Sequence, residues 1–278
     1  MEIKKAKSYG FCFGVKRAVE IAEDSKNAVT LGPLIHNPLE IERLSRDYNV
    51  KYVNSIDDID ENIKRVIVRT HGISKKRYQK LLEKNVEVID ATCPFVKKPQ
   101  EIVEEMSKNG YDIVIFGDKN HPEIQGVMSY AKGRVFVVLD VEELKSIKLK
   151  EKIATVAQTT RKIDDYLKIT DYLIKNYKEV RVFNTICNAT FENQEAVREL
   201  SREADIIIIV GGKNSSNTKQ LFNIAKENCE AYLVESEDEL KKEWFKDKKL
   251  CGISAGASTP EWLVEKIISK IKELKWKI

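Results

Sequence analysis

Cys12, Cys93 and Cys187 each stand where a strand-like run gives way to a helix-like run, and together they divide the chain into three stretches of similar build. The strand-like runs are 2–12, 86–93 and 179–187, and the helical runs that follow are 15–24, 94–107 and 191–203. Spacings of 93 − 12 = 81 and 187 − 93 = 94 residues are too long for a solenoid repeat and suit small α/β units. One such unit would bury little core alone, whereas three facing one another could. The expectation is an α/β chain of three similar domains with parallel-type sheets, residues 1–93, 94–187 and 188–278, arranged around a metal or cluster site.

A chain of 278 residues with 42% hydrophobic residues can bury a substantial core, and its 12 glycines and 6 prolines are too scattered to mark a linker. No apolar run approaches the roughly 20 residues of a membrane span. The first residues have neither a signal core nor a transit-peptide composition. A soluble, cytoplasmic protein with no membrane partner is expected. Five cysteines, an odd number, point to reduced thiols or metal ligands rather than to a disulfide framework. The formal charge of +4 is spread over 48 basic and 44 acidic residues without a basic–aromatic block, so no nucleic-acid partner is indicated.

Six further strand-like runs end in short polar loops, two in each unit. In the first unit the loops carry His36 and His71, in the second His121 with Glu123 and Thr159 with Thr160, and in the third Ser215-Ser216-Asn217 and Ser258. Offsets from the local cysteine repeat for the first loops, 36 − 12 = 24, 121 − 93 = 28 and 215 − 187 = 28. For the second loops they are 71 − 12 = 59, 159 − 93 = 66 and 258 − 187 = 71. Ligands of parallel α/β sheets bind outside the carboxyl ends of the strands, so these loops and the three cysteines are expected to face a common centre.

All three histidines of the chain fall in these loops, which favours a site role over a surface one, although no spacing matches a zinc finger or a His-Glu-x-x-His helix. Ser215-Ser216-Asn217-Thr218 and Ser258-Thr259-Pro260 each follow a strand and open a helix. N-capping accounts for either one alone. Two in one unit, beside His and Asn donors, point to a phosphorylated ligand held at helix starts. Nothing matches a phosphate-binding loop ending in Lys-Ser/Thr or a dinucleotide fingerprint. Glu123 is nominated as a proton donor, because a buried carboxyl near an anion retains its proton toward neutrality. Cys229 and Cys251, at a helix end and in a strand interior, read as small hydrophobes.

Nine co-linear stretches, 10–19, 32–37, 69–74, 90–94, 117–123, 158–160, 184–190, 215–218 and 255–258, include Arg69-Thr70-His71-Gly72, Asp90-Ala91-Thr92-Cys93-Pro94 and Ser215-Ser216-Asn217-Thr218. In these the whole chain resembles the LytB family, the 4-hydroxy-3-methylbut-2-enyl diphosphate reductases of the non-mevalonate isoprenoid pathway. The resemblance implies three α/β domains in pseudo-threefold arrangement about a central 4Fe-4S cluster. Cys12, Cys93 and Cys187 would each hold one iron, and the fourth would stay open to bind substrate as well as pass electrons. It further implies that His36, His71, His121, Ser215, Ser216, Asn217 and Ser258 hold the diphosphate, that Thr159 orients the substrate hydroxyl, and that Glu123 delivers protons. Two electrons and two protons then remove the hydroxyl as water, giving isopentenyl or dimethylallyl diphosphate, with a ferredoxin or flavodoxin as electron donor. The RNA-binding S1 extension of some relatives is not seen, so a reductase with nothing appended is expected. The alternatives are a quinolinate synthase-like dehydratase and a zinc or electron-transfer module without catalysis.

Overall fold

The structure, a computed structural model, describes residues 1–274. Its strands are β1 (Glu2–Lys5), β2 (Val29–Leu31), β3 (Lys51–Val53), β4 (Arg65–Val68), β5 (Glu87–Asp90), β6 (Asp112–Phe116), β7 (Val135–Val138), β8 (Lys152–Ala157), β9 (Glu179–Val182), β10 (Ile206–Val210), β11 (Glu230–Val234) and β12 (Leu250–Ala255). The helices are α1 (Phe13–Ser25), α2 (Pro38–Tyr48), α3 (Lys75–Leu82), α4 (Pro94–Lys108), α5 (Pro122–Met128), α6 (Val141–Lys145), α7 (Ile163–Asn176), α8 (Asn188–Ser201), α9 (Ser216–Lys226) and α10 (Glu261–Glu273). The cysteines thus immediately precede α1, α4 and α8, as the strand-to-helix pattern predicts.

Three parallel sheets of four strands have one topology: β3-β2-β4-β5, β7-β6-β8-β9 and β11-β10-β12-β1. In each, the fourth strand is the one that runs on to a cysteine. The third sheet takes that strand from the N-terminus, with Glu2 opposite Leu250 and Lys5 opposite Ile253. This corrects the division at 1–93, because β1 was expected in the first unit. The edge of β12 is where the repeat requires a fourth strand, and β1 supplies its backbone partners.

The central strands β6 and β10 are buried on both faces, as parallel strands covered by helices are. Along β10, Ile206, Ile208 and Val210 pack with Leu263, Val264, Ile267 and Ile271 of α10, while Ile207 and Ile209 pack with Val197 and Leu200 of α8 and Leu221 and Ile224 of α9. The same period of two divides β6. Ile113 and Ile115 meet Val103 and Met106 of α4, whereas Val114 and Phe116 meet Tyr166 and Ile169 of α7. Each such aliphatic side chain contributes about 1.5–3 kcal/mol by leaving water.

The chain forms two compact units. One comprises residues 1–16, 35–43 and 188–274, and contains the third sheet; the other comprises 17–34 and 44–187, and contains the first two sheets. Among the described residues no helix is long and apolar enough to cross a membrane.

Candidate active site

In the unit built on the first two sheets, a continuous line of contacts joins two of the three cysteines. The Cys187 amide donates to the Thr159 carbonyl at 3.0 Å. Thr159 in turn donates to Glu123, from its amide to Oε1 at 2.8 Å and from its hydroxyl to Oε2 at 2.6 Å. The Glu123 amide donates to His121 Nδ1 at 3.2 Å, which makes His121 the cap of α5. The His121 ring stands edge-to-face with that of His71, their centroids 5.3 Å apart. Beside His71, the Thr70 carbonyl accepts from the Cys93 amide at 3.0 Å, and the Thr70 hydroxyl donates to the Leu34 carbonyl.

Glu123 is fully buried. Burial pushes its carboxyl above the ordinary 4.5, against the two Thr159 donors, which favour the charged form. With Nδ1 accepting from the Glu123 amide, any proton on the neutral His121 ring lies on Nε2. Buried Gln158 stiffens the neighbouring loop, accepting from the Asp118 amide at 2.9 Å and donating to Thr160 Oγ1 at 3.1 Å.

The other unit holds the third cysteine and the serine loops. The Cys12 amide donates to the Ala257 carbonyl at 3.2 Å, next to Ser258. Thr70, Thr159 and Ala257 are therefore one position of the threefold repeat, which makes Thr160, not Thr159, the counterpart of His71 and Ser258. Ser215 caps α9 by accepting from the Thr218 amide. Asn217 is 4% exposed, yet both its Oδ1 and its Nδ2 lack a hydrogen-bond partner. A buried amide with neither end satisfied costs the desolvation of both groups, so a ligand is expected to complete it. His36 belongs to this unit too, its carbonyl so near Gly212 that a Cβ there would stand 2.4 Å from it.

One alignment changes. In the first loops the caps are His121, Ser215 and Asn37, the last accepting from the Glu40 amide at 3.1 Å. Asn37, not His36, is thus the counterpart of the other two, although His36 remains adjacent. Pro38 at the first helical position already signals this cap in the sequence. Thr190 was also passed over. It lies three residues beyond Cys187 and is buried, where Val15 and Val96 occupy the same offset from Cys12 and Cys93. A hydroxyl at a position apolar in the other two repeats marks it as a site candidate.

All five cysteines are free of disulfides, and Cys12, Cys93 and Cys187 are partly exposed. Cys251 is buried within β12, its thiol pushed up to about 12 by burial. Cys229 lies between α9 and β11 and is likewise shifted upward by burial. Among the described residues, no three or more His, Cys, Asp or Glu gather as ligands of a single metal ion. Three thiols at one repeated backbone position fit a cluster, in which each thiolate binds its own iron and need not converge on one ion.

The family model described as LytB protein matches residues 3–272. The chain belongs to the LytB family. Its LytB relatives include the 4-hydroxy-3-methylbut-2-enyl diphosphate reductase of Nautilia profundicola, 83% identical over 275 residues, which cover 99% of this chain and 100% of that one. The enzyme of the same name from a Nitratiruptor species is 68% identical over 276 residues, 99% of this chain and 100% of the relative. A solved structure of (E)-4-hydroxy-3-methyl-but-2-enyl diphosphate reductase, described as the terminal enzyme of the non-mevalonate pathway, is 42% identical with a TM-score of 0.72, covering 98% of this chain and 100% of that one. The Plasmodium falciparum E-1-hydroxy-2-methyl-but-2-enyl-4-diphosphate reductase is 27% identical with a TM-score of 0.90, covering 96% and 87%.

Proposed function

We propose that the chain reduces 4-hydroxy-3-methylbut-2-enyl diphosphate to isopentenyl and dimethylallyl diphosphate, the last step of the non-mevalonate route to isoprenoid precursors. Per turnover, one C–O bond breaks, two electrons and two protons enter, and one water leaves. The observation that carries the reading is the unbroken line from Cys187 through Thr159, Glu123, His121 and His71 to Thr70 and Cys93. It sets a buried acid between two cysteines and beside two imidazoles.

Cys12, Cys93 and Cys187 would hold a 4Fe-4S cluster, which would pass on electrons and provide Lewis acidity. The protein residues do the rest. Hydroxide is a poor leaving group, so its oxygen must gain a proton as the C–O bond breaks. Glu123, whose hold on a proton burial strengthens, is that acid, and the Thr159 hydroxyl both touches it and orients the substrate oxygen. By the family resemblance, the His36, His71 and His121 rings would donate to the diphosphate. Ser215, Ser216, Asn217 and Ser258 add side-chain donors at the start of α9 and before α10, where the positive end of the helix dipole favours an anion. A small ferredoxin or flavodoxin delivers the electrons.

The test is anaerobic purification with iron and sulfide determination, followed by addition of the diphosphate alcohol and a strong reductant. About four irons and four sulfides per chain with formation of both products are expected. Zinc in place of iron, or no conversion of the alcohol, would sink the reading.

A further inference from the structure

Glu40 joins two helix starts, each of which follows a candidate phosphate ligand. α2 begins at Pro38, just past His36, and α10 begins at Glu261, just past Ser258. Glu40 is 1% exposed. Its carboxylate accepts from Arg43 Nε at 3.0 Å and Nη2 at 2.6 Å, and from Trp262 Nε1, in the first turn of α10, at 3.0 Å.

Arg43, one turn along the same helix, would by itself satisfy a carboxylate that served α2 alone. The indole bond does something else, because it ties α2 to α10 across 222 residues of chain. Two other contacts act in the same direction. Leu39 packs on the core beneath α10, and the His36 carbonyl lies against Gly212, whose own carbonyl accepts from the Ser215 amide at 2.9 Å. Since Arg43 offsets the charge of Glu40, the pair adds little net field at the anion site. What it contributes is geometry.

We propose that Glu40, with Trp262 as its donor, is a positioning residue that sets His36 against the Ser215 helix start and Ser258, so that all three grip one diphosphate. The proposal rests on the diphosphate reading of this site. Neither Glu40 nor Trp262 touches the ligand in it; both act through His36 and Ser258.

Trp262→Phe keeps a large ring and removes only the N–H. The KM of the cluster-loaded enzyme for the alcohol diphosphate and its calorimetric Kd for isopentenyl diphosphate should rise together by about tenfold. The loss should be carried by KM, with iron content and melting temperature held. Trp262→His, which restores an N–H, should recover part of the affinity, and Glu40→Gln, which keeps an acceptor for Trp262, should lose less than Glu40→Ala. In a His36→Ala background, Trp262→Phe should add less loss than it causes in wild type, because residues that share a contact are not additive. An unchanged Kd in Trp262→Phe, or fully additive losses in the double variant, would overturn the positioning role. If wild type itself fails to bind isopentenyl diphosphate, the diphosphate reading fails and this inference with it; normal wild-type binding with an indifferent Trp262→Phe removes the inference alone.

Discussion

Glu123 accepts both hydrogen bonds that Thr159 can give, from the amide at 2.8 Å and from the hydroxyl at 2.6 Å. A fully buried carboxyl so held has one fixed orientation and is shut off from bulk solvent, so its proton passes through the Thr159 hydroxyl or to a ligand that displaces it. Glu123→Gln keeps size and shape but cannot donate an acidic proton. The variant should fold, retain iron and bind substrate, with turnover lower by roughly 100- to 10,000-fold. Near-normal turnover at saturating reductant would remove Glu123 as the donor.

The pH dependence has a definite sign. Burial raises the folded pKa of Glu123 above 4.5, so the stability that its neutral form contributes is complete below that value and is lost as pH rises through the folded pKa. Glu123→Gln should therefore gain stability relative to wild type as pH rises, in paired denaturant melts. The wild-type rate should fall over the same window, because the acid loses its proton, and the Gln variant should lack that limb. Parallel stability curves at all pH values would contradict the assignment.

The strand-to-helix placement of Cys12, Cys93 and Cys187 was legible because it is local, a matter of which residues precede an amphipathic run. The second loops were legible for the same reason. The pairing of β1 with β12 was not, because it joins residues about 250 positions apart, and a short charged strand carries no mark of its partner. The Glu123–Thr159 bond spans 36 residues; the sequence put both in strand-end loops without saying that they touch. The transfer of residues 35–43 to the unit of the third sheet depends on Leu39, Glu40 and Gly212, none of which carries a chemical signature by itself.

The cysteines should separate into two classes. Cys12→Ser, Cys93→Ser and Cys187→Ser should each lower iron content and abolish turnover, since a hydroxyl replaces thiolate poorly on iron. Cys229→Ser and Cys251→Ala should keep full iron. Cys251→Ala, in a packed strand, should still cost about 1–2 kcal/mol in denaturant melts. Equal iron loss in all five would make the ligand assignment wrong.

Asn217 gives a prediction that separates binding from folding. Both ends of its amide are buried without a partner in the free protein, so Asn217→Leu, close in volume, should leave stability unchanged or raise it. The same change should weaken isopentenyl diphosphate binding by about tenfold or more, because hydrogen bonds to a charged ligand are the strong ones. The cluster spectrum should stay normal. A variant that loses stability and keeps its affinity would mean that the amide serves the fold and not the ligand.

Gly212 tests whether the seat of His36 is as tight as the geometry requires. A Cβ there would lie 2.4 Å from the His36 carbonyl oxygen, a backbone atom that cannot rotate away as a side chain would. Gly212→Ala must therefore push the 35–43 segment outward or distort the loop that leads to Ser215. Overpacking of this kind costs about 1–3 kcal/mol, measurable as a lower denaturant midpoint at unchanged m. Because the displaced atoms belong to His36, diphosphate affinity should fall as well, while the reduction of bound substrate at saturation, which uses Glu123 and Thr159, should be preserved. Gly133→Ala provides the comparison, since a Cβ there would meet nothing closer than 3.6 Å, and it should change neither midpoint nor affinity. If Gly212→Ala behaves like Gly133→Ala, the close seating of His36 on this loop is wrong.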